Sequence, residues 1–557
     1  MISIGSQVRP AAFLCLALSA LASMPAQQPK PAPKPFVSKV WVADNGDGTY
    51  KNPVLYADYS DPDATRVGDD FYLVSSSFDA VPGLPILHSK DLVNWSILTH
   101  VYALQPPDEM YRKPQHGNGA WAPSIRFHAG EYYIYYPDPE LGIYVTKAKR
   151  PEGPWSTPLL IKAAPGWIDP CPLWDDDGKA YLVNALAASR SGMKSTLVVS
   201  RMSDDGTKLL DDGTAVYDGH EKDPTIEGPK FYKRNTYYYI FAPAGGVPTG
   251  WQTVLRSKSI YGPYERRVVL AQGSTTTNGP HQGAWVTTQT GENWFLHFQD
   301  QGPYGRVVHL EPMRWVDDWP VIGSDPKNAG ADPKATGTGE PVLRYAKPKV
   351  GRVWPIETPV DSDDFTSTAL GEQWQWQANP QPSWALPFPA AGLLRLYNVA
   401  APTARNLWET PNVLLQKFPG EAFTVTTKLD FHPMTDGDRT GLVVMGMDYA
   451  TLTLVKQPTG LTLTQTVSLH ADTGAPEETK ATVPLSTATI YLRVQVGPGA
   501  IAHFSYSPTG TGFIPIGPEF HAKAGRWIGA KVGLVSTATR RQGEMGYADY
   551  DYFRFEK

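Results

Sequence analysis

Five times in its first half the chain repeats one short string: GDDFYLVSSS from Gly68, AGEYYIYY from Ala129, DDGKAYLVN from Asp176, KRNTYYYIF from Lys233 and TGENWFLHF from Thr290. Each is a turn followed by an alternating, aromatic strand. With Tyr72, Tyr133, Tyr181, Tyr238 and Phe295 taken as equivalent, the separations are 61, 48, 57 and 57 residues. A repeat of that length holds a four-stranded sheet, and sheets repeated this way close radially as blades. Five repeats predict a five-bladed β-propeller.

A second string precedes each hairpin: SDPD at Ser60, WAPS at Trp121, IDPC at Ile168, IEGP at Ile226 and HQGAW at His281. From Asp61, Ala122, Asp169, Glu227 and His281 to the aligned aromatic the offsets are 11, 11, 12, 11 and 14. The innermost strand of a blade faces the central channel, so equivalent positions there form a ring. Four of its members are acidic or polar: Asp61, Asp169, Glu227 and His281. Taken singly, an Asp-Pro is a turn acceptor. Shared phase across repeats changes that reading, because carboxylates converging on one axis repel and lose solvation unless a ligand, a cation or a reaction requires them.

A chain of 557 residues exceeds what one core sustains, so at least two domains are expected. Its 50 Gly, 52 Pro and 11% aromatic content suit an all-β chain with many tight turns. The formal charge of -5 leaves no basic excess for a phosphate backbone, so nucleic acid is excluded as a partner. Arg9, an apolar run from Ala11 to Ala22 and the polar QQPKPAPKP from Gln27 read as a signal peptide over 1–26 and a Pro-rich spacer over 27–38. Cleavage after Ala22 or Ala26 both remain open. No later run is long enough to span a bilayer, so a secreted or periplasmic protein with no membrane partner is expected. Cys15 lies in the leader and leaves Cys171 alone, so stability must come from packing.

Across 39–323 the strings NPVLYADYSDPDATRVGDDFYLVSSS, PGLPILHSKDLVNW, GAWAPSIRFHAGEYYIYY, GWIDPCPLWDDDGKAYL, IEGPKFYKRNTYYYIF, HQGAWV and YGRVVHLEPMRWVDDWPVIG closely resemble glycoside hydrolase family 43, the five-bladed pentosidases. The resemblance implies an inverting glycosidase. It makes Asp61, and not Asp63, the general base, Glu227 the general acid and Asp169 the carboxylate that orients and tunes the acid. Arg306 resembles the arginine that reaches sugar hydroxyls, and a planar donor fork suits vicinal hydroxyls. Trp121 and Phe78 are candidate apolar walls for the sugar ring. His281 matches a channel histidine that in some members ligates calcium or sodium, directly or through water. No cofactor is required on this reading, and calcium, structural or in the channel, is the metal it allows. DNGDGTY at Asp44 reads as a turn, since it lacks the further ligands of an EF-hand.

After the blades, 324–360 is rich in Gly, Pro, Asp and Lys and reads as a linker. From Asp361 to the end, strand-length segments such as AFTVTTKLDF, ATIYLRVQV and YADYDYFRF are broken by turn residues, which predicts a β-sandwich over 361–557. This region resembles the concanavalin-like domain of the xylosidase-like branch. A packing role there is favoured over a carbohydrate-binding module using Trp374, Trp376, Trp384 or Trp408. Asp364 and Asp551 are candidates to share a structural calcium. The function expected is release of a terminal pentose from an oligosaccharide or polysaccharide of plant hemicellulose: an α-L-arabinofuranosidase first, a β-xylosidase second. A non-catalytic carbohydrate-binding propeller is the reading from another class.

Overall fold

Turn chemistry cuts the first half into short antiparallel strands. Ala129 and Gly130 sit at φ 48° and 84° between Ser124–His128 and Glu131–Asp138. Two successive left-handed residues make the tight loop whose twist matches a β-hairpin. A computed structural model, describing residues 34–325, 337–540 and 543–557, shows what these hairpins build. The leader and most of the spacer expected from sequence lie outside the described residues.

Five four-stranded antiparallel sheets follow in strict chain order. Their innermost strands are Asp63–Val67, Ser124–His128, Trp167–Trp174, Lys230–Arg234 and His281–Thr287, and we number the blades I to V accordingly. The five aligned aromatics all fall on second strands, opposite Thr65, Arg126, Leu173, Lys233 and Trp285 of the inner ones. The chain is therefore a five-bladed propeller followed by a sandwich, and nearly all of its regular structure is β. No helix of the described residues is long and apolar enough to cross a membrane.

Between blades the packing is apolar at the sides and ionic near the axis. Asp63 is fully buried, and its Oδ2 accepts from Arg126 Nη1 (2.6 Å) and the Ile125 amide (2.8 Å). Arg126 continues to Cys171 Sγ at 2.9 Å, and the Phe231 amide donates to that sulfur at 3.2 Å. The lone buried cysteine is thus a polar joint between blades II, III and IV. The buried Lys230 ammonium donates to Pro123 O and Ser124 Oγ, both at 2.9 Å.

The second half forms two eight-stranded sheets face to face. Phe423–His432 buries alternate residues, as a strand covering a core on one face must. Trp374, Trp376, Trp384 and Trp408 are all buried, so none offers a platform for sugar and the packing role holds for them. Asp364 pairs with Arg554 (2.8 Å) and Asp551 with Lys428 (2.5 Å), so each carboxylate has a cationic side chain of its own. In the DNGDGTY segment, Asp44 Oδ1 accepts from the Gly46 amide at 2.8 Å, a turn as expected.

Residues 36–557 form one unit, and backbone bonds stitch its halves. The Val81 and Trp376 backbones exchange two hydrogen bonds (3.1 and 2.6 Å), and Asn379 brackets the backbone of Gln105 from both sides (2.8 and 3.0 Å). The described part of 324–360 is anchored too: Arg344–Ala346 pairs with Thr49–Lys51, and the Gly339 amide donates to Val269 O.

Removing one partner of a buried ion pair strands the other. Asp63→Ala is expected to lower unfolding free energy by about 3 to 5 kcal/mol in urea denaturation; a loss under about 1 kcal/mol would show that the Asp63–Arg126 joint is not structural.

Candidate active site

The ring positions lie at the starts of inner strands, where the backbone leaves regular geometry. Asp61 precedes the first strand of blade I at φ 54°, and Asp169 lies at φ 57° in an irregularity between Ile168 and Cys171. His281 opens its strand at a similar irregularity before Gly283. Such irregularities re-aim side chains, and left-handed non-glycine residues cluster at functional sites. Counted from the register, Asp61, Ala122, Asp169 and His281 each stand four residues before the residue opposite the aligned aromatic, whereas Glu227 stands six before. The extra reach in blade IV depends on Gly228 (φ 56°), where a Cβ would lie 2.3 Å from Gln282 Cγ.

Asp61 is buried and built to accept. Its Oδ2 takes the Ser76 hydroxyl at 2.6 Å, while Arg306 Nη1 reaches Oδ1 at 3.0 Å and Oδ2 at 3.3 Å. One guanidinium nitrogen thus reaches both carboxylate oxygens. Arg306 was expected at sugar hydroxyls; it is spent in part on Asp61, with its guanidinium over the Phe298 ring at 4.9 Å and its Nε buried without a partner.

Asp169 is the opposite case. Burial, then the charge of Glu227, then that of Asp61, push its carboxyl from the ordinary 3.8 up to about 8, and the Gly228 amide donating to Oδ2 at 2.7 Å and the charge of Lys230 pull it back only partly. Glu227 meets His281 Nε2 at 2.9 Å and has 32% of its side chain exposed, while His281 is fully buried. Asp169 is therefore the raised carboxyl of this cluster, and Glu227, beside it, is the one with an exposed face.

Phe78 is buried at φ 53° and exchanges backbone hydrogen bonds with Ala120, so it backs the second-blade motif more than it lines open space. Trp121 is half-buried, with its indole N–H on Gly117 O (2.7 Å), Arg190 over its ring (5.3 Å) and Trp527 against its edge (6.5 Å). Trp527, half exposed at φ 66°, comes from the sandwich and was not foreseen. Its sequence signal was a tryptophan in the glycine-flanked segment KAGRWIG, at a distance in sequence that no repeat bridges.

Among the described residues, no group of three possible metal donors includes His281; the one such group is His297, His309 and Glu311, buried inside blade V. His281 Nδ1 is buried without a partner, which suits one protein contact to an ion otherwise coordinated by water. A calcium cage needs six to eight oxygens, and the residues here do not supply one.

Residues 50–320 match Glycosyl hydrolases family 43, and residues 362–556 match the Beta xylosidase C-terminal Concanavalin A-like domain. A putative beta-xylosidase of Xylanibacter ruminicola is 40% identical over 506 residues, covering 90% of this chain and 88% of that protein. The non-reducing end alpha-L-arabinofuranosidase BoGH43B of Bacteroides ovatus is 31% identical over 72% of this chain and 74% of its own. The crystal structure of xylan beta-1,4-xylosidase from Bacillus halodurans C-125 superposes with a TM-score of 0.79 at 25% identity, covering 91% of this chain and 100% of that one. The protein is a glycosidase acting on O-glycosyl bonds. It belongs to glycosyl hydrolase family 43.

Because Asp169 binds its proton more tightly folded than unfolded, the native state holds more protons between pH 3.8 and about 8, and stability falls as pH rises through that window. Asp169→Asn keeps an acceptor for Gly228 and removes the charge. Its melting temperature is expected to exceed that of the parent by a margin that grows from pH 5 to 8 and then levels; a margin that is flat or reversed at pH 8 would contradict the assignment.

Proposed function

We propose that the chain is an inverting, exo-acting pentosidase in which Asp61 is the base, Glu227 the acid and Asp169 the partner of the acid. The observation that carries this reading is the unequal treatment of the acids: Arg306 and Ser76 hold the Asp61 carboxyl through both oxygens, while burial and the neighbouring Glu227 raise the Asp169 carboxyl. Inversion uses one carboxylate to deprotonate water and one carboxylic acid on the opposite face of the sugar, about 6.5 to 9.5 Å apart. Water oxygen bonds to the anomeric carbon as its proton passes to Asp61. The glycosidic C–O bond breaks as the leaving oxygen takes a proton from Glu227. His281 holds the Glu227 carboxyl in place, and Asp169 raises the proton affinity of the pair.

Terminal xylose ranks first as the substrate. The 40% identical relative is named a putative beta-xylosidase and the 31% identical one an arabinofuranosidase, which supports reversing the order drawn from loop motifs. Export to the periplasm or medium is part of the proposal and rests on the leader sequence. The polymer is plant hemicellulose or its oligosaccharides.

Two measurements test this. Release of p-nitrophenol from the β-D-xylopyranoside is expected to outpace release from the α-L-arabinofuranoside, and a dominant arabinofuranoside rate would restore the other order. Asp61→Asn is expected to lower kcat by about a thousandfold whatever the leaving group. Glu227→Gln should do so for xylobiose yet spare a dinitrophenyl xyloside, whose leaving group needs no proton. Equal losses on both substrates would remove Glu227 from the acid role.

A further inference from the structure

Asp58 lies three residues before the proposed base and is buried, and two of its three bonds reach segments far away in sequence. Its Oδ1 accepts from Ser60 Oγ and from the Arg306 amide, both at 2.9 Å, and its Oδ2 accepts from the Gly529 amide at 3.0 Å. Gly529 belongs to the sandwich. Arg306 is the residue that clasps Asp61. One carboxylate thus joins the second domain to the backbone of the arginine that holds the base.

The turn leading into Arg306 is gripped from the same side. The Ala530 amide donates to Pro303 O at 2.7 Å, and Tyr304 Oη accepts from the Ala500 amide at 2.7 Å and donates to Gly497 O at 3.3 Å. Gly305, at φ 76° and ψ -156°, adopts a backbone open essentially to glycine alone. A Cβ there would lie 2.5 Å from Asp58 Cβ, and one on Gly529 would lie 2.6 Å from Gly305 N. The contact leaves no room for adjustment. Burial pushes the ammonium groups of Lys417 and Lys531, both from the sandwich, below the usual lysine range, and the charge of Asp58 draws both partly back.

We propose that Asp58 is a positioning residue through which the sandwich fixes Arg306 and, through it, Asp61. This rests on Asp61 being the base. A loosened Arg306 would misplace Asp61, so kcat falls while KM holds, because a misplaced group costs rate more than it costs substrate binding.

The test uses the full chain. Asp58→Asn can keep Oδ1 on Ser60 and Arg306 but sets an amide N–H against the Gly529 N–H. Gly529→Ala pushes from the sandwich side. Each is expected to lower kcat on p-nitrophenyl xyloside by roughly tenfold to a hundredfold, with KM within about twofold. Should Asp58→Asn fail to fold by circular dichroism, Gly529→Ala carries the test alone. Folded variants with unaltered kcat would overturn the proposal, as would a loss of kcat matched by an equal rise in KM, which marks a structural role only. Asp61→Asn assayed in parallel separates the outcomes: if it retains full activity, the reading of the base has failed, whereas if it is inactive and the two variants are unaffected, only the positioning role has.

Discussion

The ion pair between Arg306 and Asp61 is the constraint around which the site is arranged. It joins the last blade to the first, the place where a propeller must be closed, and it fixes the position of one acid in a channel where several meet. Two contacts from one guanidinium nitrogen and a bond from the Ser76 hydroxyl hold both oxygens of the buried Asp61 carboxyl. The cost is an arginine with a buried, unpartnered Nε, a polar atom that waits for a partner the protein itself does not provide.

Opposite charge logic governs blades III and IV. Asp169 has no cation of its own in contact; its hydrogen bond is from the Gly228 amide, and the nearest compensating charge, Lys230, is engaged with Pro123 and Ser124. Burial and the charge of Glu227 raise its carboxyl, while Glu227 itself keeps an exposed face. One ring thus contains an acid clasped by an arginine and another raised by its surroundings. Asp63 shows what a carboxylate without such a task looks like in the same motif: fully buried, paired to Arg126 and part of the scaffold.

Much of this was legible in the sequence because a propeller writes its symmetry into its repeats. Five aromatic hairpins gave the blade count, and their phase picked out Asp61, Asp169, Glu227 and His281 without knowledge of any contact. Register refined that phase, since Glu227 sits two residues beyond the position its neighbours share, and only the close approach of Gly228 to Gln282 explains why. What could not be read were contacts between segments hundreds of residues apart. Nothing local marks Gly529 as a partner of Asp58 or Trp527 as a neighbour of Trp121, because the sandwich has its own pattern and docks through backbone groups that every residue carries. The four tryptophans of the sandwich illustrate the converse. Composition allowed a sugar platform, and burial assigned them to the core.

Inversion at the anomeric carbon requires two acids acting from opposite faces of the sugar with a water between them. Proton NMR of the first sugar released from an aryl β-D-xyloside, recorded before mutarotation, reads this directly. The arrangement predicts that α-xylose appears first and β-xylose only as the anomers equilibrate. Initial formation of β-xylose would mean retention through a covalent intermediate, and the roles given to Asp61 and Glu227 would be wrong.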